Sequence, residues 1–490
     1  MPGMRDDVRV ACQNLVLGAI LEELKWSRAR LTVETNAYMG RDYICRSTVS
    51  EWVSQGRVPR DPLPTVVAHV LSDAVGRKIT VADLWQRAGK ESTSWVQANS
   101  CYPTSWDYRS VLRAADDWIT NVGEAVDVDR RVLLAVSGTA LTSIAWEYAE
   151  NPMPRGSSEL QSNASIPDAI TITPGIINVL EASIRELRNL DDHEGGNRNS
   201  LRIAHRHFHT LAEYVKSGKV VDAHTQQRLL TSWATLCELA GLMAFDSQLY
   251  GLAQRYWFTG LQITHTTGNP ELGAHILGYL SFQATHRGQA NDAAQLGQAA
   301  IEMAAKGTSL VVQALVTSRY AQAQAALGNN RACREAIDKA GNLLTTPGAL
   351  ANKPEYVSWF DSRMFELQSG HSLLALAQTN SHKSDRLIEQ ADDLLVPHTM
   401  SGSDFSHNFP RDALFWGSWQ ARSYVWRNEL EQAVKTGTAL INLSQSVRSQ
   451  RCVATLRQLN GELTQRRDAL SNPNIAEFSR ELDAAIAAAT

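Results

Sequence analysis

Shifted by 40 residues, the sequence pairs Leu280-Ser281-Phe282-Gln283-Ala284 with Tyr320-Ala321-Gln322-Ala323-Gln324, and Gly288 with Gly328. Each block runs on into an alanine-rich stretch: Ala293, Ala294, Ala299 and Ala300 in one, and Ala332, Ala336 and Ala340 in the other. Related units occupy 420–443, turning at Asn428, and 239–265, turning near Asp246. Each unit joins two helices across a tight turn, with small residues where they cross. One such pair cannot bury its apolar face, so neighbouring pairs must stack into a continuous core. Beyond Thr173-Pro174, a cap followed by proline at the first helical position, strand-like alternation is scarce and alanine and leucine abound. The chain reads as all-α.

The repeat pattern is that of tetratricopeptide-type helix pairs, and it assigns residues 173–490 to an α-solenoid. A chain of 490 residues exceeds what one hydrophobic core organises, and composition marks further boundaries. Residues 1–87 read as a separate helical head. Residues 88–107, rich in Ser, Thr, Asn, Gly and Pro, read as a linker, and 108–172 as a helical connecting region, helical over 108–150. No stretch reaches the ~20 apolar residues that span a bilayer, and residues 1–7 lack the apolar core of a secretory signal. Six cysteines stand at 12, 45, 101, 237, 333 and 452, without a C-x-x-C pair. Reduced, mostly buried thiols in a cytoplasm are expected, rather than disulfides or structural zinc. No cofactor and no metal are expected.

The head reads as five short helices. The first runs from about Val8 to Leu24, and the second from a Ser27 cap to about Asn36. The third, from Ser47 or Thr48 to Gly56, carries the most chemistry. Its Val49, Trp52 and Val53 share one face by helical spacing and should bury together. Ser47, Ser50, Glu51 and Ser54 share the opposite face, and Thr48 with Glu51 reads as a capping box. The connector before it, 37–46, is long for a helix-turn-helix and contains Gly40 as a breaker. A fourth helix covers 65–75, and a fifth begins near Thr80 with Val81, Leu84 and Trp85 inward. Net charge is −4, yet residues 25–60 hold 7 basic and 3 acidic residues. A basic patch on an acidic protein suits a small DNA-binding head. The third helix can enter the major groove. Ser47, Thr48, Ser50, Glu51 and Ser54 are its candidates for base edges, with Glu51 accepting from a cytosine amino group. Arg28, Arg30, Arg46, Arg57 and Arg60 are the phosphate candidates.

Several stretches, in order, carry a resemblance. The head reads Leu24-Lys25-Trp26-Ser27-Arg28-Ala29-Arg30, then Ser47-Thr48-Val49-Ser50-Glu51-Trp52, Gly56-Arg57-Val58-Pro59 and Ile79-Thr80-Val81-Ala82-Asp83-Leu84. The body adds Leu190-Asp191-Asp192-His193-Glu194-Gly195-Gly196, and Ala240-Gly241-Leu242-Met243-Ala244-Phe245-Asp246 leading to Ala253-Gln254-Arg255-Tyr256. With these the chain resembles actinobacterial regulators of the NsdA type, which join an N-terminal XRE-type helix-turn-helix to a C-terminal tetratricopeptide-like body. The similarity runs over most of the chain. The connector at 37–46 and Thr32, where alanine is common, depart from the usual XRE head and bear on the docking angle. The resemblance implies a transcriptional regulator, and a repressor rather than an activator.

No P-loop, dinucleotide fingerprint or G-x-S-x-G appears, so catalysis is not expected. His205 and His209 are four residues apart, downstream of Asp191, Asp192 and His193, but form no H-E-x-x-H. Packed or surface histidines are the reading there, and 191–196 reads as a helix stop with a solvated acidic pair. Aromatics crowd the body: Tyr256-Trp257-Phe258, Trp359-Phe360, and a cluster of Phe405, Phe409, Phe415, Trp416, Trp419, Tyr424 and Trp426. Large side chains sealing successive helix pairs account for most of these. Tyr256, Trp257, Trp359, Trp416 and Trp419 are candidates for a ligand pocket on a concave surface. The expected partners are a double-stranded DNA operator, a second copy of the chain in a homodimer, and a peptide or small-molecule effector bound by the solenoid. The alternative is a non-enzymatic scaffold whose head and solenoid both bind proteins.

Overall fold

The computed structural model describes residues 14–39, 43–59, 63–75, 79, 84–85, 103, 105–122, 135–154, 170–379, 384–399, 409–466 and 471–489. The chain divides into two compact units, Met1–Ser100 with Val136–Leu141, and Cys101–Ala135 with Thr142–Thr490. The fold is all-α. Among the described residues the only strands are Thr171–Ile172 and Lys219–Val220, paired in parallel. No described helix is long and apolar enough to cross a membrane.

In the first unit α1 (Leu15–Glu23), α2 (Arg28–Met39), α3 (Arg46–Gln55) and α4 (Leu63–Val75) surround one core. Leu17, Leu31, Val49, Trp52, Val67 and Leu71 are buried there, and Trp52 meets Trp85 edge to face at 6.4 Å. Asn14 ties three segments together. Its Oδ1 accepts from Leu17 N (3.0 Å) and caps α1, while Nδ2 donates to Leu84 O (2.9 Å) and its own backbone N–H donates to Val53 O. Ser27 caps α2 by accepting from Arg30 N at 3.1 Å.

Three boundaries differ from expectation. Helix α2 runs on to Met39, which shortens the connector to residues 40–45. Asn36 holds that connector: Oδ1 accepts from the backbone of Tyr43 and Ile44, and Nδ2 donates to Ile44 O at 2.9 Å. The side chain supplies partners that a shorter turn would draw from its own backbone. Helix α3 begins at Arg46 with Cys45 at the N-cap, so the Thr48–Glu51 box does not form. Helix α4 begins at Leu63, with Pro64 in its first turn, where the missing N–H is harmless. Residues 8–13, Val81 and the start of the fifth helix lie outside the described residues; Leu84 and Trp85 are buried.

The stretch expected to be helical over 108–150 contains two helices, α5 (Tyr108–Asp117), ending in a π-helical turn at Trp118–Val122, and α6 (Thr139–Glu150). The helices from Pro174 onward come in pairs: α7 (Pro174–Glu194) with α8 (Arg198–Ser217), α9 (Ala223–Asp246) with α10 (Tyr250–Thr266), and α11 (Pro270–His286) with α12 (Ala290–Ala304). The next are α13 (Leu310–Ala326) with α14 (Asn330–Thr345), and α15 (Ser362–Thr379) with α16 (Ser384–Thr399). The last are α17 (Pro410–Trp426) with α18 (Leu430–Ser444), and α19 (Gln450–Gln465) with α20 (Pro473–Ala488).

Five connectors share one construction. Each has three residues, the middle one left-handed: Gln248, Gly268, Gly288, Gly328 and Asn428, with φ from 60° to 72°. The third residue donates its N–H to the carbonyl five residues back, as Leu249 to Ala244 and Glu429 to Tyr424, both at 2.8 Å. This bond with a left-handed residue stops one helix and reverses the chain into the next. Within the pair α9 and α10 the approach is close: a Cβ added at Gly241 would stand 2.1 Å from Trp257 Nε1. The odd-numbered helices also touch one another in sequence, and the series returns on itself, with α17 against α7 and α19 against α9.

Candidate functional site

Helix α3 turns Val49 (0 % exposed) and Trp52 (2 %) inward. Arg46, Ser47 and Arg57 are exposed, and Thr48, Ser50, Glu51 and Ser54 are half-buried. Ser50 Oγ donates to Arg46 O at 3.0 Å, and Ser54 Oγ donates to Ser50 O. With those hydrogens committed, the two hydroxyls offer lone pairs, suited to the amino groups of cytosine or adenine. Glu51 Oε2 pairs with Arg57 Nη1 at 2.6 Å, which couples an expected base contact to an expected phosphate contact. An exposed pair of this kind contributes ~0–1 kcal/mol, little enough for a phosphate to displace. On α2, Arg28 is exposed, and Arg30 pairs with Glu34 at 2.5 Å. Arg60 lies outside the described residues.

Spacing alone missed Cys45. Its exposed thiol stands at the N-cap of α3, 2.9 Å from Ser47 Oγ and 3.2 Å from Thr48 Oγ1, and these bonds bring it down to about 7. The expectation of buried thiols fits Cys237, Cys333 and Cys452; Cys12 and Cys101 lie outside the described residues.

In the second unit the odd-numbered helices converge on a cavity of about 50 Å³. Helix α7 contributes Arg188, Asp191 and Asp192, α11 Tyr279 and Phe282, and α13 Arg319 and Gln322. Arg411, Asp412, Phe415 and Trp416 come from α17, Arg451 comes from α19, and Trp359 stands just before α15. Three of the arginines are paired in the interior. Arg188 Nη2 donates to Glu238 Oε2 (2.6 Å), Arg451 Nε to Asp246 Oδ1 (2.6 Å), and Arg411 to Asp191, with Asp412 Oδ1 3.2 Å away. The reading of Asp191 and Asp192 as a solvated pair is corrected here. Helix α7 continues to Glu194, Asp191 is 1 % exposed, and its counter-charge arrives from α17.

Burial pushes Asp191 up to about 7, against the pull of Arg411. Burial would also raise Glu238, but Arg188 and His275 outweigh it and hold the carboxyl at about 2. His275 Nε2 lies 3.3 Å from Glu238 Oε1, and burial nevertheless lowers its pKa to about 4. Burial likewise lowers His286 to about 4 and His371 to about 3, with Arg451 and Arg422 adding to the effect. Between about pH 6.5 and 4 the unfolded chain therefore binds protons at three histidines that the folded state keeps neutral. The raised carboxyls Glu147, Asp191, Asp192 and Asp392 act the opposite way, while the lowered His207 and His265 add to the histidine side. Stability present above pH 6.5 is expected to fall as pH drops toward 4. A urea midpoint that moves down over this range, and moves less in His371→Gln, checks it; a midpoint that rises on acidification contradicts it.

Residues 17–85 match the family model described as SP15 N-terminal domain. Comparison with curated proteins and with solved structures gives no match. The matched span begins at Leu17 and ends at Trp85, the first and last residues of the buried cluster of the first unit.

Of the five aromatics expected in a pocket, Trp359 and Trp416 line the cavity. Tyr256 and Trp257 are fully buried on α10 and do not line it, although Trp257 stacks at 5.7 Å on Tyr279, which does. Tyr256 stacks on Trp118 at 4.7 Å, and its hydroxyl lies 2.6 Å from His205 Nδ1, so His205 is a packed polar residue. Trp419 packs against His371 (4.4 Å) and Arg422 (4.1 Å). A wider groove of about 740 Å³, lined by residues of α16, α17 and α18, contains none of the five.

Proposed function

We propose that this chain is a sequence-specific DNA-binding transcriptional regulator, and a repressor by its resemblance to such proteins. Its first unit acts as a helix-turn-helix. Its paired helices form a tetratricopeptide-like solenoid that dimerises and senses an effector. One observation carries the reading: α3 seals Val49 and Trp52 into the core while Arg46, Ser47 and Arg57 stand outside. In this reading α3 lies in the major groove, and two protomers present two such helices to half-sites one or more helical turns apart. An effector favouring one arrangement of the body changes head spacing, and operator affinity follows.

Gel-shift titration against genomic fragments at two salt concentrations tests it. Specific retention that survives added salt supports the regulator, whereas binding that fades uniformly favours the protein-binding scaffold. Arg46→Ala is expected to weaken binding to every sequence and to reduce the salt slope by about 0.9. Ser50→Ala and Glu51→Ala are expected instead to relax preference at single base pairs, each by ~1–3 kcal/mol. Equal loss on all sequences from the three variants would remove α3 from the bases.

A further inference from the structure

We propose that the cavity among the odd-numbered helices binds a small carboxylate that also carries a hydrogen-bond donor, an amino acid or hydroxy acid of about the size of glycine, alanine or lactate. The site belongs wholly to the second unit and stands apart from any reading of the first.

Arg319 is the starting point. It is 4 % exposed, and among the described residues no carboxylate lies within ion-pair distance, although Arg188, Arg411 and Arg451 each have one. Its guanidinium sits over Tyr279 at 3.9 Å, and Nη1 donates to His275 O at 3.3 Å. Stacking of this kind offsets only part of the cost of desolvating a cation. A bound anion makes up the difference. The charges of Glu238 and, less strongly, Arg451 both act on Arg319. The pairing of Arg451 to Asp246 runs through Nε and not through the terminal amino groups.

The cavity lining also carries unused hydrogen-bonding capacity of both kinds. Trp416 Nε1, a donor, and Gln322 Oε1 and Asp191 Oδ1, acceptors, have no hydrogen-bond partner among the described residues. Each such group is unfavourable when left unpaired in the interior. A carboxylate accepts hydrogen bonds from Arg319, Arg451 and Trp416, and an amino or hydroxyl group on the same molecule donates to Gln322 and Asp191. Size narrows the class further. At about 50 Å³, against ~10–15 Å³ for one water, the space suits roughly four to six non-hydrogen atoms. Pockets for drug-sized ligands run to ~300–1,000 Å³, so the space favours the smallest acids.

Thermal melts and calorimetric titration of the full chain, without DNA, test this. The probes are glycine, L-alanine, glycolate and lactate, with acetate (no donor), ethanolamine (no carboxylate) and phenylalanine (too large) beside them. At roughly 10 mM the bifunctional small acids are expected to raise the melting temperature by about 3 °C or more. Acetate and ethanolamine are expected to do less, and phenylalanine nothing. Comparing glycine with glycolate tells whether the donor is an ammonium or a hydroxyl. Trp416→Phe and Gln322→Leu are each expected to weaken binding about tenfold, and either suffices should the other fail to fold. Protection by none of the small acids, equal protection by phenylalanine, or unchanged binding in both variants overturns the proposal. Because no DNA is present, that failure leaves the gel-shift result standing, and the reverse holds as well.

Discussion

Trp52→Ala is expected to unfold the first unit and leave the second folded. Trp52 is almost wholly enclosed and props Trp85 edge to face. Cutting such a side chain back to a methyl costs about 3–5 kcal/mol, from lost burial and from the void left behind. A small domain has only ~5–15 kcal/mol to lose, and among the described residues this core draws on short helices together with Ile44, Ile79, Leu84 and Trp85. Urea unfolding followed by circular dichroism should lose its early transition, keep the later one, and show full loss of DNA retention. Trp52→Phe, which keeps an aromatic ring in the site, should recover most of the first unit. Collapse of both transitions together would contradict the division of the chain into two compact units.

Glu238→Ala is expected to destabilise the second unit by a similar ~3–5 kcal/mol, because it leaves Arg188 charged and unpaired in the interior. Glu238 has no solvent exposure, and its 2.6 Å bond to Arg188 links α9 to α7. Removing both partners together, as in Glu238→Met with Arg188→Met, should cost less than Glu238→Ala alone, since no orphaned charge remains. Unfolding midpoints of the two single variants and the double variant measure the coupling. A double variant as unstable as the sum of its parts would show that the ion pair does not unite these helices.

What was legible in the sequence is what local periodicity controls. The faces of α3, the cap at Ser27 and the turns at Gly288 and Gly328 are set by residues within one or two turns of one another. Gln248 takes the same left-handed position as those glycines, so a three-residue turn of the same geometry looks unrelated in letters. The cavity was illegible for a different reason. Asp191 reads as solvated because its partner, Arg411, stands 220 residues away, and no helical spacing connects them. Adjacent aromatics misled in the same way: Tyr256-Trp257 and Trp359-Phe360 look alike, but which one reaches the cavity depends on the order in which helices return to it. Asn36 and Cys45 act through loop geometry that a helical pattern does not encode.

The return of α17 and α19 to α7 and α9 sets a timetable for synthesis. Arg411 follows Asp191 by 220 residues, and Arg451 follows Asp246 by 205. At ribosomal speeds roughly 10–40 s pass between the appearance of each acid and its cation. Through that interval the earlier helices can join their immediate neighbours, while two carboxylates destined for the interior wait without counter-ions. A translational pause before Arg451 would thus hold hundreds of residues short of their final packing.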